Sequence, residues 1–351
     1  MKFGILTFHK SRNYGAVLQA YALCSVLNKL EVNTEIIDYN CQHIDEKLKL
    51  WNPSKNIIKS ILQLVFRFRK KLAFDFFENT VLKKSRKVKA EEVVEFLTQY
   101  DAIIVGSDQV WNEQIIGDDN IFFLDNVNSG KIAYAVSAGD TIEFSKSVLN
   151  YIKDFDAISV RERGLQKYLL RQDIESCICC DPTILAGVDC FEKIVAPPIK
   201  QKKYVFVFMI WESRSLLNNA KKFAEIKGLD IISSKDSIEF FLHCSPEEFI
   251  SWIKNATYIF TNSFHGTVFS LLYHKKFVSS ICKSRGEKNL RIQELLTRVE
   301  CCNSIITDEN CQVENITEPN FNLIDKHLQE MRNDSINYLQ NSLEIVQSKT
   351  N

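Results

Sequence analysis

The chain has 351 residues, and its 44 Lys and Arg are matched by 44 Asp and Glu for a formal net charge of zero. That length exceeds what one ordinary core organises, so two domains are expected, and the charge balance gives no bulk electrostatic argument for nucleic-acid binding. The longest apolar runs, such as 204–211, are too short to span a bilayer, and Met1-Lys-Phe-Gly-Ile-Leu-Thr-Phe-His9 reads as a first strand rather than a signal peptide, so a cytoplasmic location is expected.

Residues 2–8 form the first strand, which ends in the polar loop Lys10-Ser11-Arg12-Asn13-Tyr14-Gly15. A helix follows, with Val17, Leu18, Tyr21, Leu23, Cys24 and Leu27 as its apolar stripe. Residues 34–39 make the next strand, completing a β-loop-α-β unit of the length a parallel crossover needs. The loop lacks Gly-x-Gly-x-x-Gly, so no dinucleotide fingerprint is present. Asn13, Tyr14 and Gly15 at the helix entrance either cap the helix or face a ligand.

Residues 47–90 change character: 13 Lys or Arg face only two acids, Asp75 and Glu78, among many Leu, Val, Ile and Phe. This basic amphipathic insert reads as a helical excursion packed on its own domain. The alternative is peripheral contact with an anionic membrane surface or an acidic partner.

Ile103–Val105 has the character of a buried parallel strand. It ends at Gly106, which lets the backbone approach a ligand, and then at Ser107, Asp108 and Gln109. Residues 131–139 repeat the plan with Ser137 and Gly139, and Ala157-Ile-Ser-Val-Arg161 repeats it with a cation. One such ending would be ordinary turn chemistry. Three at one sheet edge, beside the loop after the first strand, favour a site.

Asp181-Pro182-Thr183 closes a sixth strand, and the proline- and lysine-bearing stretch up to Lys203 reads as a linker. A second alternating series follows: a strand at 204–210, a helix at 214–227, a strand at 229–233 and a helix opened by Ser245-Pro246-Glu247-Glu248. Then comes Tyr258-Ile-Phe-Thr-Asn262-Ser263-Phe-His265-Gly266-Thr267, a short strand that turns polar and feeds a helix. Ligands in open α/β sheets bind outside such strand ends, and a helix N-terminus favours an anion. A strand at 277–281, an amphipathic helix from Asn289 with Arg291 near its start, and a terminal helix at 321–347 complete the chain. The expected organisation is thus 1–195 with the insert, 200–320, and the terminal helix. It is an α/β architecture of two Rossmann-like, doubly wound domains facing across a cleft.

The 11 cysteines are odd in number, and most sit in apolar runs, as Cys24, Cys244 and Cys282 do. Cys177-Ile-Cys179-Cys180 lacks the paired spacing of a zinc site. Free buried thiols are expected, and no metal. No phosphate-binding glycine loop and no Gly-x-Ser-x-Gly elbow occurs. The remaining candidates are donors and cations around one histidine, suited to a small multiply charged anion. Arginine fits carboxylate and phosphate bidentately, and histidine exchanges protons near neutrality.

Asn13-Tyr-Gly-Ala-x-Leu-Gln-Ala-Tyr-Ala-Leu23, Val105-Gly-Ser-Asp-Gln-Val-Trp-Asn112, Ser159-Val-Arg-Glu162, Asp181-Pro-Thr183 and Ser263-Phe-His-Gly-Thr-Val-Phe-Ser270, taken together, resemble the polysaccharide pyruvyl transferase family. The resemblance runs from residue 3 to about residue 300. It implies a two-domain fold like the GT-B glycosyltransferases, with phosphoenolpyruvate as co-substrate and no other cofactor. A hydroxyl of a glycan or lipid-linked oligosaccharide, in a capsule or exopolysaccharide precursor, would be the acceptor, and a pyruvate ketal the product. Peripheral contact through the basic insert would place the protein at the inner face of the membrane. Family members place an arginine and a histidine at phosphoenolpyruvate: His265 matches the His-Gly position and Arg161 the Ser-x-Arg position. On that basis Arg161 and Arg291 are expected to hold the anion, His265 to act as general acid, and Asp108 to act as base or hydroxyl-orienting group. Asn13, Tyr14, Gly15, Ser107, Gln109, Ser137, Asn262, Ser263, Gly266 and Thr267 are expected to line the substrates. The rival readings are a glycosyltransferase using a nucleotide sugar, and a non-catalytic glycan-assembly protein.

Overall fold

The computed structural model describes residues 1–39, 41–47, 57–139, 143–281, 290–307 and 316–350. Residues 48–56 of the basic segment, Cys282 and Asn289 lie outside the described residues. The chain divides into two compact units. One comprises Met1–Ile57, Asp75–Ala186 and Met331–Asn351, and the other Ile58–Phe74 and Gly187–Glu330.

The first unit is built on β1 (Lys2–Leu6), β2 (Asn33–Tyr39), β3 (Lys84–Val88), β4 (Ala102–Asp108), β5 (Gly130–Val136), β6 (Ala157–Val160) and β7 (Cys177–Ile178). They form one sheet in the order β3-β2-β1-β4-β5-β6-β7, and every neighbouring pair is parallel. Every residue of β4 is buried, as a strand covered on both faces requires. Strand order reverses between β1 and β4, which makes their carboxyl ends the switch point of the sheet. Leu6 lies beside Val105 there, so the loop after β1 emerges next to Gly106 and Ser107.

Edge strand β3 was not anticipated. Its sequence, Lys-Ser-Arg-Lys-Val, continues the basic segment without an apolar alternation, and only Val88 is buried. Lysine-rich edges of this kind resist pairing with other chains. Trp111 forms the middle of an aromatic cluster with Phe123, Phe144 and Phe155, and its indole N–H donates to the Phe122 carbonyl at 3.0 Å. The helix Phe321–Thr350 contributes its last part to this unit, where the Tyr338 hydroxyl donates to the Ala133 carbonyl at 2.8 Å.

The second unit holds β8 (Tyr204–Phe208), β9 (Asp230–Ser233), β10 (Tyr258–Thr261), β11 (Lys276–Ile281) and the unanticipated three-residue β12 (Ile305–Thr307). Their order is β12-β11-β10-β8-β9, again all parallel. The reversal falls between β8 and β10, where Thr261 sits beside Phe208. The helix Pro246–Asn255 opens with the capping box expected of Ser245 and Glu248. The part of the helix Ile57–Thr80 that belongs to this unit stacks Phe66 on Phe241 at 4.2 Å.

Candidate functional site

The β8/β10 switch point carries the His-Gly motif. Thr261 ends β10 by donating its hydroxyl to the Phe208 carbonyl at 2.8 Å and accepting from the Ser263 N–H at 3.0 Å. Asn262, almost fully buried, ties the loop after β8 in place: it accepts from the Ile210 N–H at 2.9 Å and donates to the Trp211 carbonyl at 3.1 Å. Ser263 is the N-cap of the helix Phe264–Leu272 and accepts from the Gly266 N–H at 3.2 Å, the bond that satisfies a free helical donor.

Gly266 is required by space. A Cβ there would lie 2.3 Å from Thr261 Oγ1, an atom already fixed by its two hydrogen bonds. Thr267 is fully buried, donates to the Ser263 carbonyl at 3.0 Å and shares a hydrogen bond with Ser279 at 2.7 Å. Its hydroxyl therefore fastens the helix to β11. Asn262 and Ser263 likewise hold the shape of the site with their side chains.

His265 is the second residue of that helix and is mostly buried. Its ring stands edge-on to Phe264, with centroids 5.2 Å apart. The Arg291 guanidinium lies 6.0 Å from the same Phe264 ring. One proton carrier and one permanent cation thus flank a single aromatic side chain at a helix N-terminus, where backbone N–H groups add positive potential.

In the first unit the β1/β4 switch point is cross-linked by Gln19, which is fully buried. Its amide donates to Thr7 Oγ1 at 2.8 Å and accepts from the Ser107 N–H at 3.3 Å. Asn13 caps the helix Tyr14–Lys29 by accepting from the Gly15 N–H at 3.0 Å, while Tyr14 and Gly15 are buried in its first turn. Of the two readings left open for this loop, the hydrogen bonds are those of a capped helix start.

Ser107 and Ser137 were expected to offer hydroxyls to a ligand. Both are fully buried. Ser107 donates to the Ala135 carbonyl at 2.8 Å, and Ser137 Oγ accepts from the Gly139 N–H at 3.2 Å. Gln109 accepts from Asn112 Nδ2 at 2.8 Å, bracing the turn after β4. Asp108 has a φ of 71°, a left-handed conformation uncommon outside glycine and concentrated at functional positions.

Arg161 is buried among three carboxylates. It donates to Asp181 at 2.7 Å and to Glu162 at 3.1 Å, and it lies 3.7 Å from Asp108. Burial alone would lower its pKa, but Glu162, Asp181 and Asp108 together raise it above the ordinary arginine value. Asp181 is in turn fixed by the Thr183 N–H and hydroxyl, at 2.9 and 2.6 Å. A clamp for an incoming anion was expected of Arg161. An anion at this guanidinium would share it with three negative groups, so the arrangement orients Asp108 more readily than it recruits a further anion.

Two groups that sequence reasoning left without a role stand near these strand ends. Gln19 was visible as a lone amide inside an apolar helical stripe. His9, buried at the end of β1, sets its ring nitrogens 3.2 Å from the Thr7 carbonyl and 3.4 Å from Asp38. Burial would raise the Asp38 pKa, but the hydrogen bonds of His9 and Lys10 hold it well below the usual carboxylate range.

Among the described residues, no helix is long and apolar enough to cross a membrane. The sequence matches the family model for polysaccharide pyruvyl transferase over residues 13–283. No curated protein sequence matches the chain significantly. Among solved structures, the UDP-N-acetylglucosamine 2-epimerase from Rickettsia bellii is similar at a TM-score of 0.53 and 14% identity, covering 99% of this chain and 97% of that one. An Anabaena protein in complex with UDP and glucose gives 0.48 at 12% identity over 100% and 98% of the two chains. The UDP-GlcNAc 2-epimerase from Methanocaldococcus jannaschii gives 0.44 at 13% over 95% and 93%. At 14% identity the Rickettsia bellii likeness speaks for the fold alone: two Rossmann-like units of the GT-B type, each a parallel sheet with its own switch point.

Proposed function

The chain belongs to the polysaccharide pyruvyl transferase family, and from that premise we propose that it moves the pyruvate unit of phosphoenolpyruvate onto two hydroxyls of one sugar, forming a pyruvate ketal. The acceptor in this reading is a glycan or lipid-linked precursor of a cell-surface or exopolysaccharide. Phosphoenolpyruvate is the only co-substrate, and no metal takes part.

The observation that supports it most is the grouping of His265 and Arg291 around Phe264 at the helix N-terminus. Arg291 meets the carboxylate or phosphate, for which a guanidinium has the matching geometry. His265 donates a proton to the methylene carbon of phosphoenolpyruvate, which leaves positive charge at C2. The first sugar hydroxyl attacks C2, forming a C–O bond and losing its proton to a base. The second hydroxyl then attacks the same carbon, the bond from C2 to the phosphate oxygen breaks, and the proton released neutralises the departing phosphate.

Asp108 is the base or orienting group for the acceptor hydroxyl in this scheme. Arg161 acts through it: by holding Asp108 in place it is a positioning residue, with direct contact to the donor assigned to Arg291. Gly106 serves Asp108 as well, since a Cβ at that position would lie 2.3 Å from the Tyr134 carbonyl oxygen.

Ligand-induced stabilisation tests the donor. A ligand at a hundred times its Kd raises stability by about 2.7 kcal/mol, which is readily seen in a thermal melt. Phosphoenolpyruvate is expected to raise the melting temperature, and Arg291→Ala to abolish that rise while leaving the unliganded melt in place. A rise with UDP-N-acetylglucosamine and none with phosphoenolpyruvate would transfer the protein to the glycosyltransferase reading.

A further inference from the structure

We propose that the outward face of the helix Ile57–Thr80, with the short helix Ile238–Leu242 beside it, is a docking surface for an anionic lipid bilayer. The helix is apolar on two sides. One side packs inward: Phe66 stacks on Phe241 at 4.2 Å, and Phe74 is buried beneath the Lys70 ammonium, 5.1 Å from its ring. The other side is left open. Val65, Phe68 and Leu72 are 55%, 51% and 52% exposed, and their spacings of three and four residues put them on one face of the helix.

The neighbouring helix extends this surface. Ile238 and Leu242 are 66% and 46% exposed and four residues apart. Arg69 donates from its Nε to the Leu242 carbonyl at 3.1 Å, joining the two helices. Five large apolar side chains are thus exposed on two adjoining helices of one unit, whereas single exposed apolar residues elsewhere need no explanation.

Charge selects the occupant. Ile58–Phe74, the part of the helix in this unit, carries Lys59, Arg67, Arg69, Lys70 and Lys71 and no Asp or Glu, in a chain whose total charge is zero. Apolar side chains that enter the acyl boundary, beside cations that meet anionic headgroups, make the pattern of an interfacial helix. Long cationic side chains with their stems along apolar surface suit the same boundary. A second copy of this chain would bring the same cations to the same face, so like charge opposes self-association there. The surface is independent of the reaction proposed above.

The test is co-sedimentation of the full chain with vesicles of equal parts phosphatidylglycerol and phosphatidylcholine, against vesicles of phosphatidylcholine alone. Binding is expected to the anionic vesicles and to fall as salt rises. The triple substitution Val65→Ser, Phe68→Ser and Leu72→Ser is expected to lower the partition by at least about tenfold. Ile226→Ser, an exposed apolar position on another helix, is expected to leave it unchanged. Phe68→Trp gives a second readout that keeps the apolar surface: its emission is expected to shift to the blue with anionic vesicles only. The proposal is overturned if wild type ignores anionic vesicles or binds neutral ones equally. It is also overturned if the triple variant binds as wild type does, or if the triple substitution abolishes a dimer instead.

Discussion

Replacing Arg161 by methionine removes the cation from among Asp181, Glu162 and Asp108 while keeping most of the volume it fills. The pair with Asp181 is the tightest, at 2.7 Å, with both side chains essentially inaccessible to water. Asp108 and Glu162 retain some solvent contact and can rehydrate, so the penalty falls chiefly on Asp181. Thr183 still donates twice to that carboxylate, but no cation remains. Breaking one side of a buried pair costs about 3–5 kcal/mol.

Calorimetric melts of both proteins at neutral pH measure this penalty, with the two units analysed as separate transitions where they separate. A gap below about 1 kcal/mol would mean that the substitution does not leave Asp181 as an uncompensated buried charge. In activity, Arg161→Met and Asp108→Asn should cost about as much together as either alone, since one acts through the other. A selective rise in the KM for phosphoenolpyruvate would instead restore Arg161 as a donor clamp.

Gly266→Ala places a methyl group against Thr261 Oγ1. Overpacking of this kind costs about 1–3 kcal/mol, and because the helix start must shift, urea melts and activity should both fall; an unperturbed variant would remove the steric argument. Glu78 is buried, and that burial, opposed by Lys84 and reinforced by Asp75, pushes its pKa up to about 7. Its folded pKa is thus above the unfolded one, so the stability linked to its proton is present below about 4.3 and is lost as pH rises through about 7. Glu78→Gln, which keeps the neutral shape, should flatten the decline in stability between pH 5 and pH 8, and an unchanged slope would show that the carboxyl is ionised without cost.

The sequence was informative where a function depends on periodicity. Most strands of both sheets, the helix starts at Asn13 and Ser245, and the polar turn after β10 follow from apolar runs that stop at capping residues, and the structure places them there. It was uninformative about where a short polar side chain points. Ser107 and Ser137 have the same identity whether they face a ligand or close a strand end, and only the folded chain shows their bonds to the Ala135 carbonyl and the Gly139 N–H. Arg161 is a similar case: its cation was legible, but the three carboxylates around it come from β4, from the next residue and from a segment 20 residues later. The two missed strands failed for opposite reasons, β3 because its residues are mostly charged and β12 because three residues carry no period.

The proposed reaction turns on proton donation by His265 in a transfer from phosphoenolpyruvate. Its most direct test incubates the protein with phosphoenolpyruvate and a panel of aryl and lipid-linked glycosides, following phosphate release and the mass of the sugar. Phosphate release is expected to depend on one class of glycoside and to match ketal formed mole for mole. His265→Gln, folded as judged by its melt, should lose about two to four orders of magnitude of that rate. Turnover preserved in His265→Gln, or phosphate release without ketal, would contradict it.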